Sequence, residues 1–240
     1  MQWINAMEQM NKRPKTIAID GPAASGKSSV GQHIANNLGY MFLDTGIMYR
    51  AVAWASVAHG IEVTDEHKVG ELARSINISV QKATNNTGRL YDICVDSQDV
   101  TDLLRSPEVN QNVSQVSRYA AVRDAMTAQQ KVVGKQGSIV MAGRDIGTVV
   151  LPDADLKFYL EASPAERARR RFAEEQARGG GMIFEQILQN IEMRDEIDST
   201  REIAPLKPAE DARIINTDGK SIQLVINEIM QIIERHSESN

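Results

Sequence analysis

Thr16-Ile17-Ala18-Ile19-Asp20-Gly21-Pro22-Ala23-Ala24-Ser25-Gly26-Lys27-Ser28 joins a short apolar run to a glycine-bounded loop and then to the start of a helical pattern. Gly21 to Ser28 fits G-x-x-x-x-G-K-[ST]. The glycines let the backbone wrap an anion, and its N–H groups and the helix N-terminus face the phosphates. Lys27 is spaced to reach the β and γ oxygens, and Ser28 to hold Mg²⁺. The flanking strand and helix are the context that this motif requires, so binding of ATP or GTP is expected.

Outward from this loop, apolar runs alternate with helical patterns, as in a parallel sheet covered by helices. Val30, Ile34 and Leu38 recur at four-residue spacing, with Gly39 as a stop. Tyr40 to Asp44 is a second strand, followed by a helical stretch reaching Gly60. Ile139-Val140-Met141, Leu156 to Leu160 and Arg213 to Asn216 are further strands, and a last helix starts at Ser221. The expected fold is α/β: a parallel five-stranded P-loop core with helices on both faces. The stretch 61–117 breaks the rhythm. Ile76, Ile78 and Val80 alternate with polar residues, Thr84 to Gly88 is turn-rich, and Tyr91, Ile93 and Val95 alternate again. This predicts an antiparallel hairpin in a small inserted subdomain.

The chain has 240 residues and a net charge of −5, which argues against a general nucleic-acid or membrane-surface binder. Cys94 is its only cysteine, so an internal disulfide is excluded. No apolar run approaches the ~18 residues of a membrane span. Residues 1–15 lack an apolar signal core and are expected to form a polar, frayed extension before a kinase domain at 16–240. A cytoplasmic monomer is the expectation. A GTPase is disfavoured because Asn11-Lys12-Arg13-Pro14 fails the base-recognition pattern N-K-x-D at its last position. A motor is disfavoured because Met141-Ala142-Gly143 lacks an acid pair.

Transfer of a phosphoryl group to a small acceptor is favoured over those two readings. Two anionic groups then approach closely, and arginines answer that problem because guanidinium stays charged and grips phosphate bidentately. Arg50 lies one turn into the helix after the second strand, and Arg144 follows the strand-end Gly143. Strand ends of this kind line the ligand crevice of parallel sheets. Ser163-Pro164-Ala165-Glu166 is a capping box opening a helix with Arg167, Arg169, Arg170 and Arg171, which runs to Gly179-Gly180-Gly181. A basic helix ending in glycines beside a nucleotide site predicts a mobile lid at 163–182; a solvated charged helix is the alternative. Arg194, Asp198 and Arg201 recur at helical spacing and are expected on one helix face, either at the site or as a surface ion-pair ladder.

Taken in order, these segments resemble the bacterial cytidylate kinase family from about Thr16 to Ile233. The resemblance is carried by Ile19-Asp20-Gly21-Pro22, Leu43-Asp44-Thr45-Gly46 with Tyr49-Arg50, and Val113 to Ser117 with Arg123. Gly143-Arg144-Asp145-Ile146-Gly147-Thr148, Arg194-Asp195 through Asp198 and Arg201, and Ala204-Pro205-Leu206 complete it. It implies that ATP and Mg²⁺ phosphorylate CMP and dCMP. Arg50, Arg144 and Arg194 would clamp the acceptor phosphate, with Lys27, Arg144 and Arg194 carrying the catalysis. Ser114, Arg123 and Asp145 would read cytosine. Thr45, Asp198 (on the ribose) and Arg201 would be further acceptor contacts. Gly21, Pro22, Ala23, Ala24, Ser25, Gly26, Lys27, Ser28 and Ser29, with Arg170 and Arg171, fall on the ATP side. One departure is Ala142, where the family is often acidic. A sibling kinase for another small substrate and a non-catalytic nucleotide-binding protein are the alternatives.

Overall fold

The computed structural model describes residues 12–82 and 91–239. The frayed extension falls largely on residues 1–11 and the turn Thr84 to Gly88 on residues 83–90, both outside the described residues.

The described residues form two compact units, 12–43 with 134–239, and 44–82 with 91–133. The first is built on a five-stranded parallel sheet in the order β2-β6-β1-β7-β8. Its strands are β1 (Thr16–Asp20), β2 (Met41–Asp44), β6 (Ile139–Gly143), β7 (Leu156–Glu161) and β8 (Arg213–Asn216). β1 lies at the centre and pairs in parallel with β6 and β7, so that Asp20 stands opposite Gly143 on one side and Tyr159 on the other. Ile17, Ala18 and Ile19 are fully buried, as the continuous apolar run requires of a central strand covered on both faces.

Helix α1 (Lys27–Leu38) follows the glycine-bounded loop and ends at Gly39, whose left-handed φ of 72° only glycine adopts without cost. After β6 the chain makes a π-helical turn at Ile146–Val150, with Val150 N–H donating to Asp145 at 3.1 Å and Leu151 N–H to Ile146 at 2.7 Å. Helices α6 (Pro164–Ala177) and α7 (Phe184–Thr200) pack as a pair through Ala168, Ile187 and Ile191, with Phe172 and Phe184 edge to face. Helix α8 (Ile222–Ser239) closes the unit and packs on α1. The Ser163 hydroxyl accepts from the Glu166 N–H, so the capping box sets the start of α6.

The second unit begins with α2 (Gly46–Ala58) and α3 (Glu66–Ser75). The expected hairpin is β3 (Ile78–Lys82) against β4 (Tyr91–Val95), antiparallel, with Ile78 opposite Val95 and Val80 opposite Ile93. A third strand, β5 (Gln98–Asp99), was not anticipated, because two exposed polar residues give no alternation to read. Helices α4 (Pro107–Val116) and α5 (Ala120–Gly134) follow, the first capped by Ser106 with Pro107 at its first position. No helix among the described residues is long and apolar enough to cross a membrane.

Candidate functional site

The loop after β1 is shaped by residues that must be small. Gly21 has φ 148°, and a Cβ there would sit 2.3 Å from the Leu160 carbonyl oxygen, so only glycine lets the loop leave the strand beside β7. Gly26, at φ 93°, turns the chain into α1. Lys27 is buried at the head of that helix and lies back along the loop, donating to the Pro22 carbonyl at 2.6 Å and contacting Ser25 Oγ at 3.4 Å. The loop opens onto a cavity of about 320 Å³ lined by Ala24 to Val30, Arg170, Glu174, Thr217, Lys220, Ile222 and Val225. Its floor is a helix N-terminus and its wall carries two cations, the arrangement that suits a polyphosphate. Arg170 is fixed there by the Thr217 carbonyl at 2.6 Å and Oγ1 at 3.1 Å, and by Glu166. Arg171 does not line the cavity; it is 49% exposed and pairs with Glu174.

At the end of β1, Asp20 accepts from the backbone N–H groups of Ile146 at 2.8 Å and Gly147 at 2.7 Å, in the turn after the neighbouring strand β6. Burial pushes its carboxyl up to about 6; those two N–H groups pull it down, Asp145 pushes it up and Lys27 lowers it. The same turn presents Arg144, whose Nε donates to Asp198 Oδ2, and Asp145, 3.7 Å from Arg201 Nη2. Arg201 also approaches Asp198 Oδ1 at 3.6 Å. Burial raises the Asp198 pKa, but Arg144, Arg194 and Arg201 together hold it below its ordinary value. Arg144, Asp145, Arg194, Asp198 and Arg201 are thus one electrostatic group. One expectation is corrected: Arg201 does not share a helix face with Arg194 and Asp198. Helix α7 ends at Thr200, Arg201 is extended (φ −61°, ψ 141°), and its Nε donates to the Ala204 carbonyl at 2.7 Å.

The second unit holds Thr45, Arg50, Ser114 and Arg123. Thr45 is buried directly before α2. Arg50 Nη1 donates to the Leu104 carbonyl at 3.1 Å and to Asn110 Oδ1 at 2.6 Å. Arg123 is 3% exposed, lies with its guanidinium carbon 5.5 Å from the Tyr49 ring centre, and donates to the Ser117 carbonyl at 3.2 Å. The face of an aromatic ring holds a cation by its quadrupole, so Tyr49 orients Arg123 without consuming its donors. Ser114 lies on α4, its carbonyl accepting from Ser117 Oγ.

The cytidylate kinase family model matches residues 17–235. The chain belongs to the cytidylate kinase family. It is similar to a cytidylate kinase from Chloroflexus aggregans, 47% identical over 89% of this chain and 93% of that one. A cytidylate kinase from Bacillus pumilus is 43% identical over 93% and 98% of the two chains. One from Bacillus subtilis is 41% identical over 92% and 97%.

A kinase of this family needs more than its motifs, and several contributors carry no sequence signal. Thr217, Lys220, Ile222 and Val225 reach the cavity from the connection after β8 and the start of α8. Asn110 orients Arg50 from a helix 60 residues away, and only its polar identity within α4 hinted at it. Asp20 had a signal, an acid ending an apolar strand, but it was absorbed into the loop motif. Ala142, where the cytidylate kinase resemblance leads one to expect an acid, is 1% exposed opposite Ile19. Asp20, one step further along β1, supplies a buried carboxylate opposite Gly143.

The donor set suits Mg²⁺. Among the described residues there is no cluster of three His, Cys, Asp or Glu side chains that would cage a metal. Mg²⁺ keeps its waters and takes one or two protein oxygens plus substrate phosphates, and Ser28 offers a hydroxyl beside the phosphate loop.

Proposed function

We propose that this kinase transfers the γ-phosphoryl group of ATP to CMP or dCMP, releasing ADP and CDP or dCDP. The observation that carries the substrate is family membership over residues 17–235. An oxygen of the acceptor phosphate attacks the γ-phosphorus, a P–O bond forms, and the bond to the β–γ bridging oxygen breaks. The acceptor phosphate oxygen is already a nucleophile, so no covalent enzyme intermediate is required. Catalysis is positioning and charge stabilisation.

The loop Gly21 to Ser28, with Ser29, takes the ATP phosphates on its backbone N–H groups. Lys27 exchanges the Pro22 carbonyl for the β and γ oxygens, where charge grows during transfer. Ser28 would hold Mg²⁺ together with the phosphates, and the ion would supply charge neutralisation there. Arg170 and Arg171 are assigned to the ATP side; support is stronger for Arg170, which lines the cavity. Arg144, Arg194 and Arg50 take the acceptor phosphate, Asp198 the ribose, and Thr45 and Arg201 further acceptor contacts. Asp145, with Ser114 and Arg123, reads the base: cytosine offers an amino donor at its 4-position, for which a carboxylate is the natural acceptor. We further assign the enzyme to the cytoplasm, as a monomer.

The test is ADP release over a panel of nucleoside monophosphates with Mg-ATP. CMP and dCMP should turn over fastest, UMP poorly, and AMP and GMP hardly at all. A preference for UMP or AMP overturns the assignment, and binding of ATP and CMP without ADP release overturns catalysis itself.

A further inference from the structure

Arg167 is the largest fully buried side chain among the described residues, although it belongs to the run of arginines on α6. Arg169, two residues on, is 68% exposed and pairs with Glu166 of its own helix. The Arg167 guanidinium is met on every side. Nε donates to the Ala162 carbonyl at 3.0 Å. Nη1 donates to the Ala23 carbonyl at 3.2 Å and to Asp195 Oδ1 at 2.9 Å, and Nη2 to Asp195 Oδ2.

Ala23 is the third residue of the phosphate loop. Asp195 is on α7, directly after Arg194. One side chain therefore ties the donor loop's backbone to the helix that carries an acceptor-side arginine. Only a planar guanidinium grips a carboxylate with two N–H groups and still directs donors at carbonyls on other segments. A buried ion pair is weak evidence for stability, because well-packed apolar residues of similar volume often serve as well. Nor is the pair needed to hold α6 to α7, since Ala168, Ile187, Ile191 and the Phe172–Phe184 contact already do so.

We propose that Arg167 is a positioning residue for phosphoryl transfer: it fixes α7, and Arg194 with it, to the phosphate loop at Ala23. This rests on reading the loop as the ATP site and Arg194 as an acceptor clamp. Arg167 touches neither substrate, and acts by holding the two sides in one geometry. A misplacement of about 1 Å at a transfer site costs roughly 100-fold in rate.

The experiment compares wild type, Arg167→Lys and the double variant Arg167→Met/Asp195→Leu by thermal melting and by kcat and KM for ATP and CMP. The double variant should melt close to wild type while its kcat falls by about 100-fold. Arg167→Lys keeps the charge and loses the fork; it should show a comparable loss of kcat, with KM for ATP little changed. A double variant that folds with kcat within about threefold of wild type makes the pair fold glue and overturns the proposal. If the double variant does not fold, Arg167→Lys decides, and wild-type kcat in it overturns the proposal equally. A wild type inactive on CMP, or Arg194→Ala as active as wild type, defeats the underlying reading instead.

Discussion

The loop after β1 and the turn after β6 leave adjacent parallel strands at the same end of the sheet, yet they are built on opposite logic. The loop is a stretch of backbone bent by glycines, with Lys27 bonded to its own loop at Pro22. The turn is held by side chains from other segments: its N–H groups at Ile146 and Gly147 are taken by Asp20, and its side chains Arg144 and Asp145 by Asp198 and Arg201. A binding element made of backbone is local, and carries its instructions in consecutive residues. One made of side chains needs partners to hold their direction, and those partners come from elsewhere in the chain. Asp198 lies 54 residues from Arg144, and Asp20 lies 126 from Ile146.

The largest expected effect bears on the loop. On the proposed role of its ammonium where charge grows, Lys27→Met should lower kcat by about 100- to 1,000-fold while weakening CMP binding far less. A variant keeping more than about a tenth of wild-type kcat would remove Lys27 from that role.

The next effect bears on the turn's anchor. The Asp20 carboxyl sits at about 6 against an ordinary 3.8, so the folded state holds its proton more tightly than the unfolded chain does. Its contribution to stability is complete below the ordinary value and is lost as pH rises through 6. Asp20→Asn cannot ionise. The stability of wild type relative to this variant should therefore fall by about 3 kcal/mol between about pH 3 and pH 7. Urea titrations across that range measure it. The depressed Asp198 loses its contribution in the opposite sense, as pH falls, but it does so in both proteins and cancels. A difference flat with pH would contradict the buried, ionising Asp20.

A smaller effect sharpens the comparison at the cavity wall. Arg170→Ala should slow transfer by about tenfold, the worth of one charge-assisted hydrogen bond. Arg171→Ala, on the exposed side of the same helix, should stay within about twofold of wild type in rate and stability. Equal losses in both variants would mean that both arginines reach the ATP and that exposure is no guide here.

The same contrast accounts for what could be read in the sequence. The five strands of the core announced themselves because a central parallel strand such as Ile17-Ala18-Ile19 is a solid apolar run, and the loop because its glycines answer local geometry. Capping signals placed the start of α6. Arg201 was misplaced because i+7 spacing from Arg194 carries no information about where the helix stops, at Thr200. Thr217 and Lys220 were missed because a cavity wall formed by a connection has no period. Arg167 was not told apart from the other three arginines of α6 because burial of one guanidinium among four is decided by Ala23 and Asp195, far away in sequence.

The central claim is that the turn after β6 selects cytosine through Asp145, and the CMP-to-UMP ratio of kcat/KM tests it most directly. Uracil carries a carbonyl where cytosine carries an amino group, and a site built to hydrogen-bond a substrate group rejects analogues lacking it by large factors. Asp145→Asn can donate to that carbonyl. Replacing a carboxylate beside Arg201 will also disturb the charge group, but any general loss affects both substrates and drops out of the ratio. Wild type should strongly favour CMP, and Asp145→Asn should narrow the ratio. A ratio unchanged by the substitution would take Asp145 out of the base site and contradict the account.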